Sequence, residues 1–253
     1  VAKGARWLPP ALPVCLAVAW YAVTASGRIP AYQLASPRLV WLYVQQLAAR
    51  GTLWQHLGAS AERVLMGFGI AFAAAVLLGT CVGLWSHAEQ LIDPTLQAVR
   101  AVPSLAWVPL LLIWLGVGEL AKIALVAIGA FFPIYVNLVS GIRAVDRKLV
   151  EVARIYGYEG WRLAARVVLP ATLPSLLVGA RIGLTQAWLF LVAAELLAST
   201  RGLGYLLIEG QQTSRTDEVL AAILLLATCG KLSEMAMRAL ERRWLRWTDG
   251  LAT

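Results

Sequence analysis

The chain is predicted to be all-α, a polytopic membrane helical bundle of about six transmembrane helices. Two observations lead there. Of its 253 residues, 60% are hydrophobic and 14% charged, with a mean hydropathy of +0.71, whereas soluble domains carry about 25% charged and about 45–50% apolar residues. The apolar residues also gather in runs close to the ~20 residues with which a helix crosses about 30 Å of hydrocarbon. Such an interior is too large for so little charged surface to cover, and a bilayer can face it directly.

The runs are taken in chain order. Leu8–Ala25 comes after Lys3 and Arg6 and starts irregularly at Pro9, Pro10 and Pro13. That flank also fits a signal peptide; a retained span is expected, because the chain beyond it is itself membrane-embedded. Residues 27–63 are mixed and end in an amphipathic helix carrying His56. Val64–Trp85 is the second span, and Leu96–Leu115 a weaker third, interrupted by Pro103 and Pro109. Ala121–Val139, Pro174–Leu197 and Val219–Met237 complete the six, before a basic tail, Arg238–Thr253. The chain therefore divides into an N-terminal helix with an external segment (1–52), a core (53–247) containing a long loop (141–173), and a tail (248–253).

Six spans put both termini on one side. Thirteen Lys and Arg residues fall on that side, in the termini, around Arg100 and in the 141–173 loop; five, Arg28, Arg38, Arg50, Arg201 and Arg215, fall on the other. This bias predicts that both termini and the 141–173 loop are cytoplasmic. A net charge of +8 and a pI near 9.8 raise the question of nucleic acid. The basic residues lie in short loops between apolar runs, so the lipid bilayer and not nucleic acid is the expected partner. Cys15, Cys81 and Cys229 are far apart and lack disulfide or metal-ligand spacing. His56 and His87 stand alone near span ends, where they read as interfacial side chains, and no metal site is expected. Gly79 with Gly83, and Gly179 with Gly183, have the G-x-x-x-G spacing that lets helix backbones approach closely.

The 141–173 loop is basic but patterned. Asp146 suits a helix N-cap. Leu149, Val150, Ala153 and Tyr156 share one helical face, and Gly157 provides a stop. A second amphipathic helix, about Gly160 to Val168, is expected to end before Pro170. Taken alone, this pattern equally fits a helix pair lying on lipid headgroups.

The residues of the loop resemble a family motif. Permeases of binding-protein-dependent ABC importers carry E-A-A, three residues, G, nine residues, I, one residue, L-P. Here the sequence reads Glu151-Val152-Ala153, Gly157, Val167, Leu169 and Pro170; every spacing matches, with Val152 for Ala and Val167 for Ile. The stretch from Val102-Pro103-Ser104 to Trp114-Leu115-Gly116-Val117-Gly118-Glu119, and Glu195-Leu196-Leu197-Ala198-Ser199 with Gly202-Leu203-Gly204, are similar to the nitrate, sulfonate and taurine group. The resemblance runs from about Leu53 to Trp247.

This resemblance implies a type I importer permease fold, used as a homodimer with two copies of a separate ATPase subunit and a solute-binding protein on the outer face. The loop helix would be a coupling helix docking into the ATPase, with Glu151, Ala153, Arg154, Tyr156, Gly157, Leu169 and Pro170 as the coupling residues. Glu151 would meet an ATPase arginine, Ala153 would keep the docking face flat, Gly157 would permit the turn and Pro170 would fix the exit. The chain itself is expected to be no enzyme and to bind no cofactor. Gly230-Lys231 is followed by Leu232 and lacks the rest of a phosphate loop, so ATP and magnesium belong to the partner. Polar residues inside spans are candidates for the translocation path. They are Asn137, Gln186 and Glu195, with helix-to-helix bonding as the competing role. Arg181 lies too far from Glu195 along their helix to pair with it. The expected cargo is an aliphatic sulfonate or taurine, with nitrate, bicarbonate or another small solute as the alternative. A channel or accessory subunit without ATP coupling, and a lipid-modifying membrane enzyme, are the readings from other classes.

Overall fold

The structure, a computed structural model, describes residues 8–245, so Lys3, Arg6 and the 248–253 tail lie outside the described residues. Every regular element among the described residues is helical. The first is α1, Leu8–Ala25, the same run that hydropathy marks. α2, Pro37–Ala49, starts where the Ser36 side chain accepts from the Leu39 N–H and Pro37 takes the first turn; a missing N–H does no harm at that position.

α3, Thr52–Leu84, is one helix of 33 residues. The amphipathic segment carrying His56 and the expected second span are thus continuous, since no proline interrupts them. α4, Ser86–Ala101, and a 3-10 turn at Ser104–Trp107 leading into α5, Val108–Leu115, are bent by 90° at their junction. Val102 there is extended, with ψ 124, because a residue before proline is pushed out of the helical region. The weak third span is therefore a sharply bent helix pair, with the geometry of a broken span or of a re-entrant loop.

α6, Glu119–Arg143, is followed by the short α7, Arg147–Ile155. Next come α8, Gly160–Leu163, a π-helical stretch, Ala164–Val168, and α9, Leu169–Ala198. These three form one helical run, and Pro170 does not end it as the sequence pattern suggests. A proline ring conflicts with the carbonyl four residues earlier, which here belongs to Arg166 inside the π-helical stretch. The wider bonding pattern there accommodates it. α10, Leu203–Gln212, and α11, Thr216–Trp244, complete the chain. Four of the runs are long and apolar enough to cross a membrane, namely Thr52–Leu84, Glu119–Arg143, Gly160–Leu197 and Thr216–Trp244. The bent pair makes a fifth if it is one span, and Leu12–Ala25 is a shorter apolar helix.

The chain divides into two compact units. One comprises the described residues up to 59 together with 200–227. Within it Trp20 Nε1 donates to the Ala35 carbonyl at 3.0 Å, and the Thr216 hydroxyl donates to the Tyr32 carbonyl. His56 stacks on Tyr205 with ring centroids 6.0 Å apart. The Arg215 guanidinium lies 5.0 Å over the Tyr43 ring and pairs with Glu218 at 2.6 Å.

The other unit comprises residues 60–199 and the described residues from 228 onward. Its centre is α6, which packs against α9 on one side and α3 on another. Both G-x-x-x-G pairs lie on these crossings. A Cβ at Gly83 would come within 2.6 Å of Ile142, and one at Gly179 within 2.8 Å of Asn137. α6 is also tied to α4, where Tyr135 donates to Asp93 at 2.7 Å and Arg143 pairs with Glu89 at 2.9 Å. α9 and α11 are joined by Arg181 and Glu241 at 3.2 Å and by Trp188 Nε1 donating to Ser233 at 2.9 Å.

Candidate functional site

Two constellations stand at opposite ends of α6, about 36 Å apart at ~1.5 Å per residue. The first is the loop after Arg143. Asp146 caps α7, its side chain accepting from the Lys148 N–H at 2.9 Å. At the other end the Tyr158 N–H donates to the Ala153 carbonyl at 3.0 Å and the Gly157 N–H to the Arg154 carbonyl at 2.9 Å. Gly157 has φ 78. This is a Schellman closure, in which a left-handed residue satisfies the last carbonyls of the helix. Both helix ends are thus bonded, and α7 keeps its shape with only one side supported.

The supported side is not quite the one its spacing suggests. Ala153 is buried, and Val150 packs against Leu138, Ile142 and Val168. Leu149, Val152, Ile155 and Tyr156 face outward, Ile155 and Tyr156 about 80% exposed, and Glu151 and Arg154 are exposed with them. Ala153 therefore seats α7 on its own protein. The outward face is a ridge of four apolar side chains flanked by Glu151 and Arg154. Leu169 and Pro170 lie behind it at the start of α9, where the half-buried Leu169 packs against the cluster of Leu138, Ile142 and Val168.

The second constellation lies where α3, α6 and α9 meet. Arg63 of α3 is 2% exposed and donates through Nη1 to Glu195 of α9 at 2.6 Å. Through Nε and Nη2 it grips both oxygens of Glu119, at 2.6 and 2.7 Å. Lys122, also buried, adds a third donor to Glu119 at 3.1 Å. Ser60 shares its hydroxyl between the two oxygens of Glu195 at 2.8 and 3.0 Å. The buried Arg63 and Glu195 are thus paired with each other, as charges removed from water must be.

Of the three path candidates, only Glu195 belongs to this cluster. Gln186 is half-buried in α9, about 13 Å nearer the loop along the helix axis. Asn137 is half-buried in α6 and donates to the Pro133 carbonyl at 2.8 Å. Arg63, Glu119 and Lys122 are not singled out by sequence reasoning. Their signal is charged side chains at the edges of apolar runs, an arrangement that calls for partners. Which charge meets which depends on helix rotation and depth.

Comparison with known proteins agrees with this architecture. Residues 71–246 match the family described as binding-protein-dependent transport system inner membrane component. The chain is 43% identical to a protein of Escherichia coli (strain K12) that carries the name aliphatic sulfonates transport permease protein SsuC, covering 96% of this chain and 94% of that one. It is 40% identical to the Bacillus subtilis (strain 168) protein of the same name, covering 94% and 86%. In fold it resembles the MetNI methionine ABC transporter solved in inward-facing conformations, with a TM-score of 0.60 at 22% identity over 83% of this chain and 99% of that one. The chain therefore belongs to the binding-protein-dependent inner membrane components, multi-pass permease subunits of ABC importers that work with an ATPase and a binding protein.

Proposed function

We propose that the chain is the permease of an importer for small organic sulfonates, an aliphatic sulfonate or taurine. The observation that carries the substrate is its likeness, over nearly the whole chain, to two permeases named for aliphatic sulfonates. Two copies pair in the plasma membrane with both termini cytoplasmic, and each docks one ATPase subunit. ATP and magnesium are bound and ATP is hydrolysed on that partner; this chain is a conduit and not an enzyme.

The coupling mechanism is built on the loop. The ridge of Leu149, Val152, Ile155 and Tyr156 offers an apolar anchor, with Glu151 and Arg154 available for charge-assisted bonds at its edge. Closure of the ATPase pair displaces α7. Val150 and Ala153 pass that movement to the rod that begins at Gly160 and continues through Leu169 and Pro170 into α9. The rod reaches Glu195 about 52 Å away at ~1.5 Å per residue, so a small tilt at the loop becomes a larger displacement at the far end. Gln186 and Asn137 lie along the way as polar positions for the solute.

The test is reconstitution of the permease with its ATPase and binding protein in liposomes. ATP-dependent uptake of labelled ethanesulfonate or taurine is expected. Uptake of nitrate or bicarbonate without sulfonate would overturn the substrate, and flux without ATP would overturn the coupling. A cysteine placed at Lys148 should resist an impermeant reagent added outside whole cells, and one at Arg38 should react; the reverse pattern would invert the orientation.

A further inference from the structure

We propose that Arg63 and Lys122 form a binding site for the oxyanion group of a monoanionic solute, and that the carboxylate of Glu119 occupies this site in its place. The inference rests on the sulfonate reading only for the identity of the solute.

The geometry of Glu119 is that of a bound ligand. Arg63 offers two parallel N–H groups, Nε and Nη2, one to each carboxylate oxygen at 2.6 and 2.7 Å. Guanidinium recognises planar or tetrahedral oxyanions in this paired way. Lys122 supplies a third donor at 3.1 Å. Three donors therefore converge on one acceptor group, and a sulfonate presents three oxygens.

The two cations are built in, while the carboxylate is not. Arg63 and Lys122 are buried, and Arg63 is held from its other side by Glu195 at 2.6 Å, itself bonded by Ser60. Arg63 thus stays in place whether or not Glu119 does. The Glu119 side chain is 48% exposed. It is the first residue of α6 and follows Gly116-Val117-Gly118. Gly116 has φ 75, and no side chain or backbone lies within 4 Å of a Cβ added at Gly116 or Gly118. The space beside Glu119 is therefore open, and rotation of its half-exposed side chain can release the carboxylate into water.

Charge then sets the selectivity. If Glu119 swings out and a monoanion enters, the net charge of the cluster is unchanged. A dianion such as sulfate would add one negative charge beside the buried groups, which a low-dielectric site penalises. The site should accept a sulfonate and reject sulfate although their oxygen geometry is alike.

The test is fluorine NMR of trifluoromethanesulfonate titrated onto the full chain in nanodiscs, with size exclusion confirming that each variant is folded. Glu119→Gln removes the resident charge from a half-exposed position and should tighten binding by about tenfold, the difference between a charge-assisted and a neutral pair. Adding Lys122→Met to Glu119→Gln should reverse that gain. Ethanesulfonate should displace the probe, and sulfate at equal concentration should not. Equal binding by wild type and Glu119→Gln, indifference to Lys122→Met, or displacement by sulfate as strong as by ethanesulfonate would each overturn the site. Sulfonate uptake by the wild-type complex alongside any of those results would leave the import function standing. A binding gain in Glu119→Gln with transport of a different monoanion would keep the site and change the cargo.

Discussion

Ile134 of α6 seats against Gly183 of α9 so closely that a Cβ at position 183 would lie 2.8 Å from Ile134 Cγ1 and 2.9 Å from the carbonyl oxygen of Ala130. Gly179, one turn earlier, meets Asn137 and the carbonyl of Pro133 in the same way. The two helices thus touch backbone to backbone along a glycine track, and dispersion between close-packed groups does what burial from water does in a soluble core.

Gly183→Ala should therefore destabilise the folded chain by about 1–3 kcal/mol, since a backbone carbonyl cannot move aside as a flexible side chain can. Gly79→Ala meets first the flexible side chain of Leu138, at 3.0 Å, and should be close to neutral, because alanine gains about 0.5–1 kcal/mol over glycine within a helix. Melting midpoints of the detergent-solubilised variants, read by size exclusion, check the order; equal midpoints would refute the backbone contact.

Arg63→Met should be far more damaging than its single lost charge suggests. It strips the buried Glu195 of its guanidinium, and breaking a buried pair costs about 3–5 kcal/mol. Arg63→Met combined with Glu195→Leu should recover most of that loss. If single and double variants melt alike, the pair is not what holds Glu195 in the interior.

The caps of α7 should matter for coupling and not for insertion. Asp146→Ala removes the N-cap and should weaken the helix by about 1 kcal/mol. Gly157→Val forces a branched residue to φ 78, at a cost of about 1–2 kcal/mol or more. Both should lower ATPase activity stimulated by the loaded binding protein, Gly157→Val the more, with the membrane level of the protein unchanged. Full stimulation with Gly157→Val would mean that α7 does not dock.

Tyr43 of α2 predicts an alkaline limit. Burial is the largest influence raising its phenol above the ordinary 10.0; the hydrogen bond to Glu218 and the negative charge there act in the same direction. A group whose folded pKa is raised contributes stability that is whole below its unfolded value and is lost as pH rises through the folded one. Wild type should therefore lose stability above pH about 10, and Tyr43→Phe should lose less over the same range. Parallel curves for the two proteins would exclude Tyr43 as the source.

The local features of the chain are legible from its residues alone. Hydropathy locates the spans, and α1 begins and ends where the apolar run does. Asp146 and Gly157 mark the ends of α7 because capping depends on residues within one turn of the helix end. The G-x-x-x-G pairs mark where helices cross, since only missing side chains permit such approach. Tertiary structure decides the rest. Pro170 resembles a helix end, but the π-helical stretch before it, seated on Leu138 and Ile142, carries the helix through. Ala153 resembles part of the docking face, but α7 turns it inward. Arg63, Glu119 and Glu195 are separated by 56 and 76 residues along the chain. Which of them pair is set by the rotation and depth of three helices packed together, because an ion pair depends on distances of a few ångströms between side chains whose spacing in the chain carries no such information.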